Sequence, residues 1–275
     1  MRVTALPDFV DPYLDPVTGV LRNNLGATTQ VDLNSREADL TVLAGIELAA
    51  QPVKVTGDLR QLQAIHKHLF HDVYRWAGEL RTVDIRKGND ASAEFFMPVS
   101  RLHTGAMYAF QELADDNNLR GMDRDTFIDR LAHHYDQVNY LHPFREGNGR
   151  TQRVLWTQVA REAGYDIDWR GVTGPVNDRA SRDAMERQDF SGLRTMFATI
   201  VHPNSEPVTT NRKDDLQRTV EALRSKARET HAPSATALTR SRNLPSAGEI
   251  PKPPTATRRN YPRSVETRDN GLERD

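Results

Sequence analysis

Apolar residues return at helical spacing along most of the chain up to about residue 203. Leu40, Leu43, Ala44, Ile46 and Leu48 predict a helix over about 35–50, with Arg36, Glu37, Asp39 and Glu47 left to a solvent-facing side. Thr56 or Asp58 can cap a second helix, in which Leu59, Leu62, Ile65, Leu69 and Val73 keep the spacing until Trp76-Ala77-Gly78. A third helix begins near Ser100, carrying Leu102, Ala106, Phe110 and Leu113. A fourth starts near Asp123, carries Phe127, Ile128, Leu131, Tyr135, Val138 and Leu141, and stops at Pro143. A fifth runs from about Gly149 to Ala163 and closes at Gly164; two more fit 176–187 and 189–201. The period changes once. Arg81, Val83 and Ile85 alternate with Thr82, Asp84 and Arg86, Lys87-Gly88-Asn89-Asp90 has turn chemistry, and Glu94-Phe95-Phe96-Met97-Pro98 returns. The expected class is therefore all-α, a helical bundle with one short β-hairpin.

The bundle is flanked on both sides. Residues 1–34 are rich in Pro, Asp, Asn and Gly and read as an irregular arm, which Tyr13, Leu14, Val20, Leu21 and Leu25 can dock onto a core. The helical domain spans 35–203. The remaining extension, 204–275, holds an amphipathic helix at about 212–230 (Leu216, Val220, Leu223, Ala227), then a Pro-, Ser-, Thr- and Arg-rich tail expected to be disordered.

Composition narrows the function by exclusion. The 275 residues carry 37 basic and 38 acidic side chains, so no global field favours nucleic acid. There is no cysteine, which excludes disulfides and thiolate metal sites and agrees with a cytoplasmic location. No run has the length of a membrane span, and the first residues lack an apolar leader core, so a soluble chain is expected. His66, His68 and His71 suggest a metal, but at most two can share a helix face and no carboxylate pair completes a site; packing or surface roles are the better reading.

The chemistry concentrates in residues 142–153, His-Pro-Phe-Arg-Glu-Gly-Asn-Gly-Arg-Thr-Gln-Arg. His142 is a natural general base near neutral pH, and Pro143 keeps its backbone out of the α region. Gly147, Asn148 and Gly149 permit backbone conformations in which successive N–H groups converge on an anion, at the positive end of the following helix. Arg150 and Arg153 are spaced to share one face of that helix. Glu146 is a single carboxylate beside the loop, suited to a Mg²⁺ that keeps several waters. A base, an anion nest, a metal ligand and two cations together point to nucleotidyl or phosphoryl transfer.

This stretch resembles the signature of the Fic family, His-Pro-Phe-x-Asp/Glu-Gly-Asn-Gly-Arg-x-x-Arg, at every fixed position, and the resemblance runs over about 11–203. It is similar in particular to toxin-like and effector-like bacterial members. The resemblance implies a Fic-type bundle whose hairpin is a flap near the active site, holding the target by strand addition, with Ile85, Lys87 and Phe96 as contacts. It implies a protein adenylyltransferase that moves AMP from ATP to a Tyr, Thr or Ser hydroxyl of a target protein. His142 takes the hydroxyl proton, Asn148 and the amides of Gly147 and Gly149 position the α-phosphate, and Glu146 holds Mg²⁺. Arg150 reaches the leaving pyrophosphate and Arg153 the γ-phosphate. Phe144 reads as a buried anchor and Arg145 as exposed. Many members carry an inhibitory Ser/Thr-x-x-x-Glu-Gly/Asn helix; no glutamate here completes that motif, which implies a toxin restrained by a separate small antitoxin. The implied targets are a topoisomerase ATPase subunit or, for an effector translocated by a specialised secretion system, a host GTPase. Alternatives are UMP or phosphocholine transfer and a non-catalytic nucleotide-binding module.

Overall fold

The computed structural model describes residues 11–86 and 94–204. Among them lie α1 (Gln30–Ala50), α2 (Leu59–Phe70), α3 (Leu102–Asp115), α4 (Arg124–Leu141), α5 (Asn148–Ala163), α6 (Gly174–Arg187) and α7 (Ser191–Ile200), with two short strands, β1 (Tyr165–Ile167) and β2 (Val201–Pro203). The all-α class holds. The expected helix at 212–230 and the tail lie outside the described residues, as does Lys87.

Side-chain caps set three of the helix starts. Asp58 accepts from the Gln61 N–H at 3.0 Å, and Asp123 accepts from Asp125 and Thr126, each at 3.1 Å. Thr29 does the same for Asp32 at 3.3 Å, which starts α1 at Gln30 rather than near Ser35. α2 stops earlier than its apolar spacing suggests. After Phe70 the chain turns, the Val73 carbonyl accepts from Asn24 N–H at 2.8 Å, and Tyr74 stacks on Trp76 with centroids 4.3 Å apart. Val73, Tyr74 and Trp76 thus enter the core from turns.

Among the described residues of the hairpin expected over 80–98, most do not form a ladder. Its arms meet at one antiparallel bridge, Arg86 with Phe95, and Phe96 N–H donates to the Ile85 carbonyl at 3.1 Å. Nearer the root each arm bonds elsewhere: Arg81 N–H to the Pro143 carbonyl (2.8 Å) and Met97 N–H to the Tyr140 carbonyl (2.9 Å). Regular pairing forms where no pattern announced it. β1 runs antiparallel to β2, Tyr165 opposite Pro203 and Ile167 opposite Val201, so α7 ends at Ile200 and Val201 begins a strand. Three-residue strands are too short to show a period of two.

α4 and α5 form the centre, packed on each other, with α2 and α7 against them. Trp156, Leu155, Leu131, Ala132, Phe127 and Ala160 are wholly or almost wholly buried there. Each large side chain so buried contributes about 1.5–3 kcal/mol. The arm docks as expected through Val20, Leu21 and Leu25, and Tyr13 meets Trp76 edge-on at 5.3 Å. Among the described residues no helix is long and apolar enough to cross a membrane.

Candidate active site

The stretch 142–153 folds as a tight loop from the C-terminus of α4 to the first turns of α5. Pro143 ends α4 as expected, but His142 is not extended: it is a left-handed cap at φ 41°, ψ 58°. Its ring lies flat on Phe96, centroids 3.7 Å apart and 9° between planes. Nδ1 faces the Asn139 carbonyl at 3.1 Å and so carries the hydrogen, which makes Nε2 the basic nitrogen. Phe96 was expected to touch a target. At 4% exposure it is turned inward and backs the histidine instead. Ile85 is half-buried beside it in the flap.

Side-chain bonds within the protein close the loop. Asn148 accepts from Phe144 N–H at 2.9 Å and donates to the Phe144 carbonyl at 2.8 Å. Its amide is therefore committed to the loop, and its own N–H is what it can offer a phosphate. Phe144 is fully buried, as expected, and stacks on His66 at 3.8 Å. Gly78 N–H donates to His66 Nδ1 at 2.7 Å, which fixes the hydrogen on Nε2, and that atom donates to the Glu146 carbonyl at 3.0 Å. Burial pushes the His66 pKa down to about 3, against the hydrogen bond to Glu146 that raises it. Between that value and 6.5 the unfolded chain binds a proton that the folded chain does not. The His66 contribution is complete above pH 6.5 and falls by about 1.4 kcal/mol per pH unit as pH drops towards 3. Urea unfolding at pH 7 and pH 5 should show this loss in the wild type and a smaller one in His66→Gln.

Gly147 stands before α5 at φ 80°, and no side chain caps the helix. The N–H groups of its first turn are left to whatever binds there. Gly149 is exposed, with nothing within 4 Å of where a Cβ would stand, so a ligand can approach the backbone closely. His142, Asn148 and Gln152 line one small cavity with Phe144 and Leu62, which brings the base and the helix N-terminus together. The two arginines take different partners. Arg150 turns towards α1, while Arg153 lies over the Trp169 ring at 5.6 Å. Glu146 is half-exposed, 3.5 Å from Arg150, and lines a polar cleft of about 290 Å³ with Glu37, Tyr74 and Arg150. Arg145 is not simply exposed; it pairs with Asp11 of the arm at 2.8 Å.

Two further residues belong to the site. Arg81 has a fully buried side chain that gives hydrogen bonds to the carbonyls of His142 (2.8 Å), Val83 (2.8 Å), Leu141 (3.4 Å) and Met97. It fastens both flap arms to the backbone of the candidate base. Burial lowers its pKa to about 10, with Asp84 opposing, so it stays charged. The signal was an arginine alternating with Val83 and Ile85. Glu37 was read as solvent-facing but is buried, bonded to Arg150 and Tyr74. Its signal was its place in Leu33, Glu37, Leu40, Ala44, a buried helical stripe. Arg81→Leu leaves several carbonyls without donors, and urea unfolding should show a loss of about 3–5 kcal/mol.

Comparison with known proteins bears on this geometry. Residues 56–160 match the Fic/DOC family model. Protein adenylyltransferase VbhT of Bartonella schoenbuchensis is 38% identical over 211 residues, 76% of this chain but 42% of the relative, so the chain spans less than half of VbhT. The Fic protein of Escherichia coli (strain K12) is 33% identical over 196 residues, 71% of this chain and 94% of the relative. The N-terminal Fic domain of a VirB-translocated Bep effector of Bartonella quintana, solved with bound ADP, superposes with a TM-score of 0.65 at 27% identity, covering 70% of this chain and 95% of that one. Motif, fold and near-complete coverage of the Escherichia coli relative agree: the chain belongs to the Fic/DOC family.

Proposed function

We propose that the chain is a protein adenylyltransferase, transferring AMP from ATP to a hydroxyl side chain of another protein. The observation that carries this is the pairing of a fixed base with an uncapped helix N-terminus across one loop. Relatives named protein adenylyltransferase, and a neighbouring structure holding ADP, support the nucleotide and the reaction class.

The first-turn N–H groups at 148–150 receive the phosphates, with the α5 dipole behind them. His142 Nε2 accepts the proton of the acceptor hydroxyl, whose oxygen forms the new bond to the α-phosphorus as the bond to pyrophosphate breaks. Positioning and charge stabilisation account for most of the acceleration. Arg150 serves the pyrophosphate side and Arg153 the outermost phosphate. Glu146 is a lone, half-exposed carboxylate and fits a Mg²⁺ that keeps its waters; bound there, the ion would offset phosphate charge. The flap presents the target segment, with Ile85 and Lys87 as contacts. A small antitoxin is the proposed restraint.

The test is incubation of the chain with α-labelled ATP, Mg²⁺ and a bacterial lysate. A labelled protein band is expected. Unlabelled ATP should compete, and if UTP or a phosphocholine nucleotide competes better, the donor assignment falls.

A further inference from the structure

α1 brings a charge into the site that the family motif does not contain. Glu37 is 6% exposed on the buried stripe of α1, and both of its carboxylate oxygens are occupied. Arg150 Nη2 donates to Oε1, and the Tyr74 hydroxyl donates to Oε2. Burial, with Glu37 beside it, raises the Tyr74 pKa well above the usual phenol range, so Tyr74 stays a neutral donor to Glu37. On its other edges the guanidinium gives Nη1 to Thr41 Oγ1 at 3.3 Å, stands 3.5 Å from Glu146, and lies over the Phe70 ring at 4.8 Å.

Four groups from three segments thus hold one arginine before any ligand arrives. An arginine left in solvent must give up its rotamer freedom when it grips an anion; Arg150 has given it up in folding. Glu37 and Thr41 approach from α1, and Arg150 still lines the open polar cleft that it shares with Glu146.

We propose that Glu37 is a positioning residue for the nucleotide donor: it moors Arg150 so that the guanidinium receives the phosphates beyond the transferred AMP. The proposal rests on the role given above to Arg150. It makes α1 part of the machinery that tells a nucleoside triphosphate from a monophosphate. If Glu37 instead competed with phosphate for Arg150, removing its charge would tighten triphosphate binding, so the sign of the effect decides.

The experiment is calorimetric titration of the full chain with ATP and Mg²⁺, and separately with AMP. Glu37→Gln keeps shape and removes charge. It should weaken ATP binding roughly five- to tenfold and leave AMP binding unchanged, which also shows that the variant is folded. Thr41→Val, which removes the second mooring, should act in the same direction but less, and stands in if Glu37→Gln is unstable. Equal or tighter ATP binding by a folded variant overturns the proposal, as does an equal loss of ATP and AMP. If the wild-type chain binds ATP in no titration, the donor assignment itself fails and this proposal goes with it.

Discussion

Replacing His142 should lower the proposed AMP transfer by about two to four orders of magnitude while ATP binding stays near the wild-type level. The expectation follows from what surrounds the ring. Nδ1 is tied to the Asn139 carbonyl, and the face rests on Phe96. The nest at 147–150 is secured by Asn148, Phe144 and His66. Because His142 sits at φ 41°, the choice of variant matters. Alanine loses the ring stacked on Phe96 and keeps the left-handed Cβ penalty of about 1–2 kcal/mol that histidine already bears, whereas asparagine tolerates the left-handed region. His142→Asn should therefore lose transfer with little change in urea midpoint, and His142→Ala should lose both. Labelling by a folded His142→Asn at the wild-type rate would remove His142 from the mechanism.

The second large effect is at Gly147, and it contrasts with its neighbour. A Cβ there would stand 2.3 Å from Phe70 Cζ and 2.4 Å from Cε2, at φ 80°. Phe70 is fully buried and cannot swing aside. Gly147→Ala should lose about 2–5 kcal/mol by urea unfolding, from overpacking and left-handed strain together, and nucleotide binding with it. Adding Phe70→Leu should return part of the stability. Gly149→Ala meets nothing and should unfold at the wild-type midpoint, yet bind nucleotide more weakly, because its new methyl stands where a ligand would approach. Equal stability of the two alanine variants would contradict the close approach at Phe70.

The helices were legible because their apolar residues keep one period and because Asp58, Asp123 and Pro143 mark their ends. Thr29 was overlooked because it lies in a stretch that reads as loop, and α2 was overextended because Val73 happens to keep helical spacing while its carbonyl serves Asn24. The motif announced His142 and the glycines by type and order. It could not announce that the Asn148 amide is spent on Phe144, that Arg150 and Arg153 part company, or that Phe96 faces inward. Arg150 meets Glu37 113 residues away and Phe96 meets His142 from the flap, distances over which no local pattern reaches, while Arg153 finds Trp169 beyond the end of α5. Buried charge was the most instructive error. Glu37, on a stripe with Leu33, Leu40 and Ala44, was assigned by residue type to water, and Arg81 was grouped with Val83 and Ile85 but given no role.

Arg81 separates two kinds of change that selection could work on. Its guanidinium takes carbonyls from both flap arms and from His142 itself, so the root of the flap and the base form one rigid unit. In the proposed role of the flap, substitutions of the Ile85 side chain change the contact offered to a target while the carbonyls of His142, Val83 and Met97 keep Arg81. Target recognition, so proposed, can then vary while the support of the candidate base is kept.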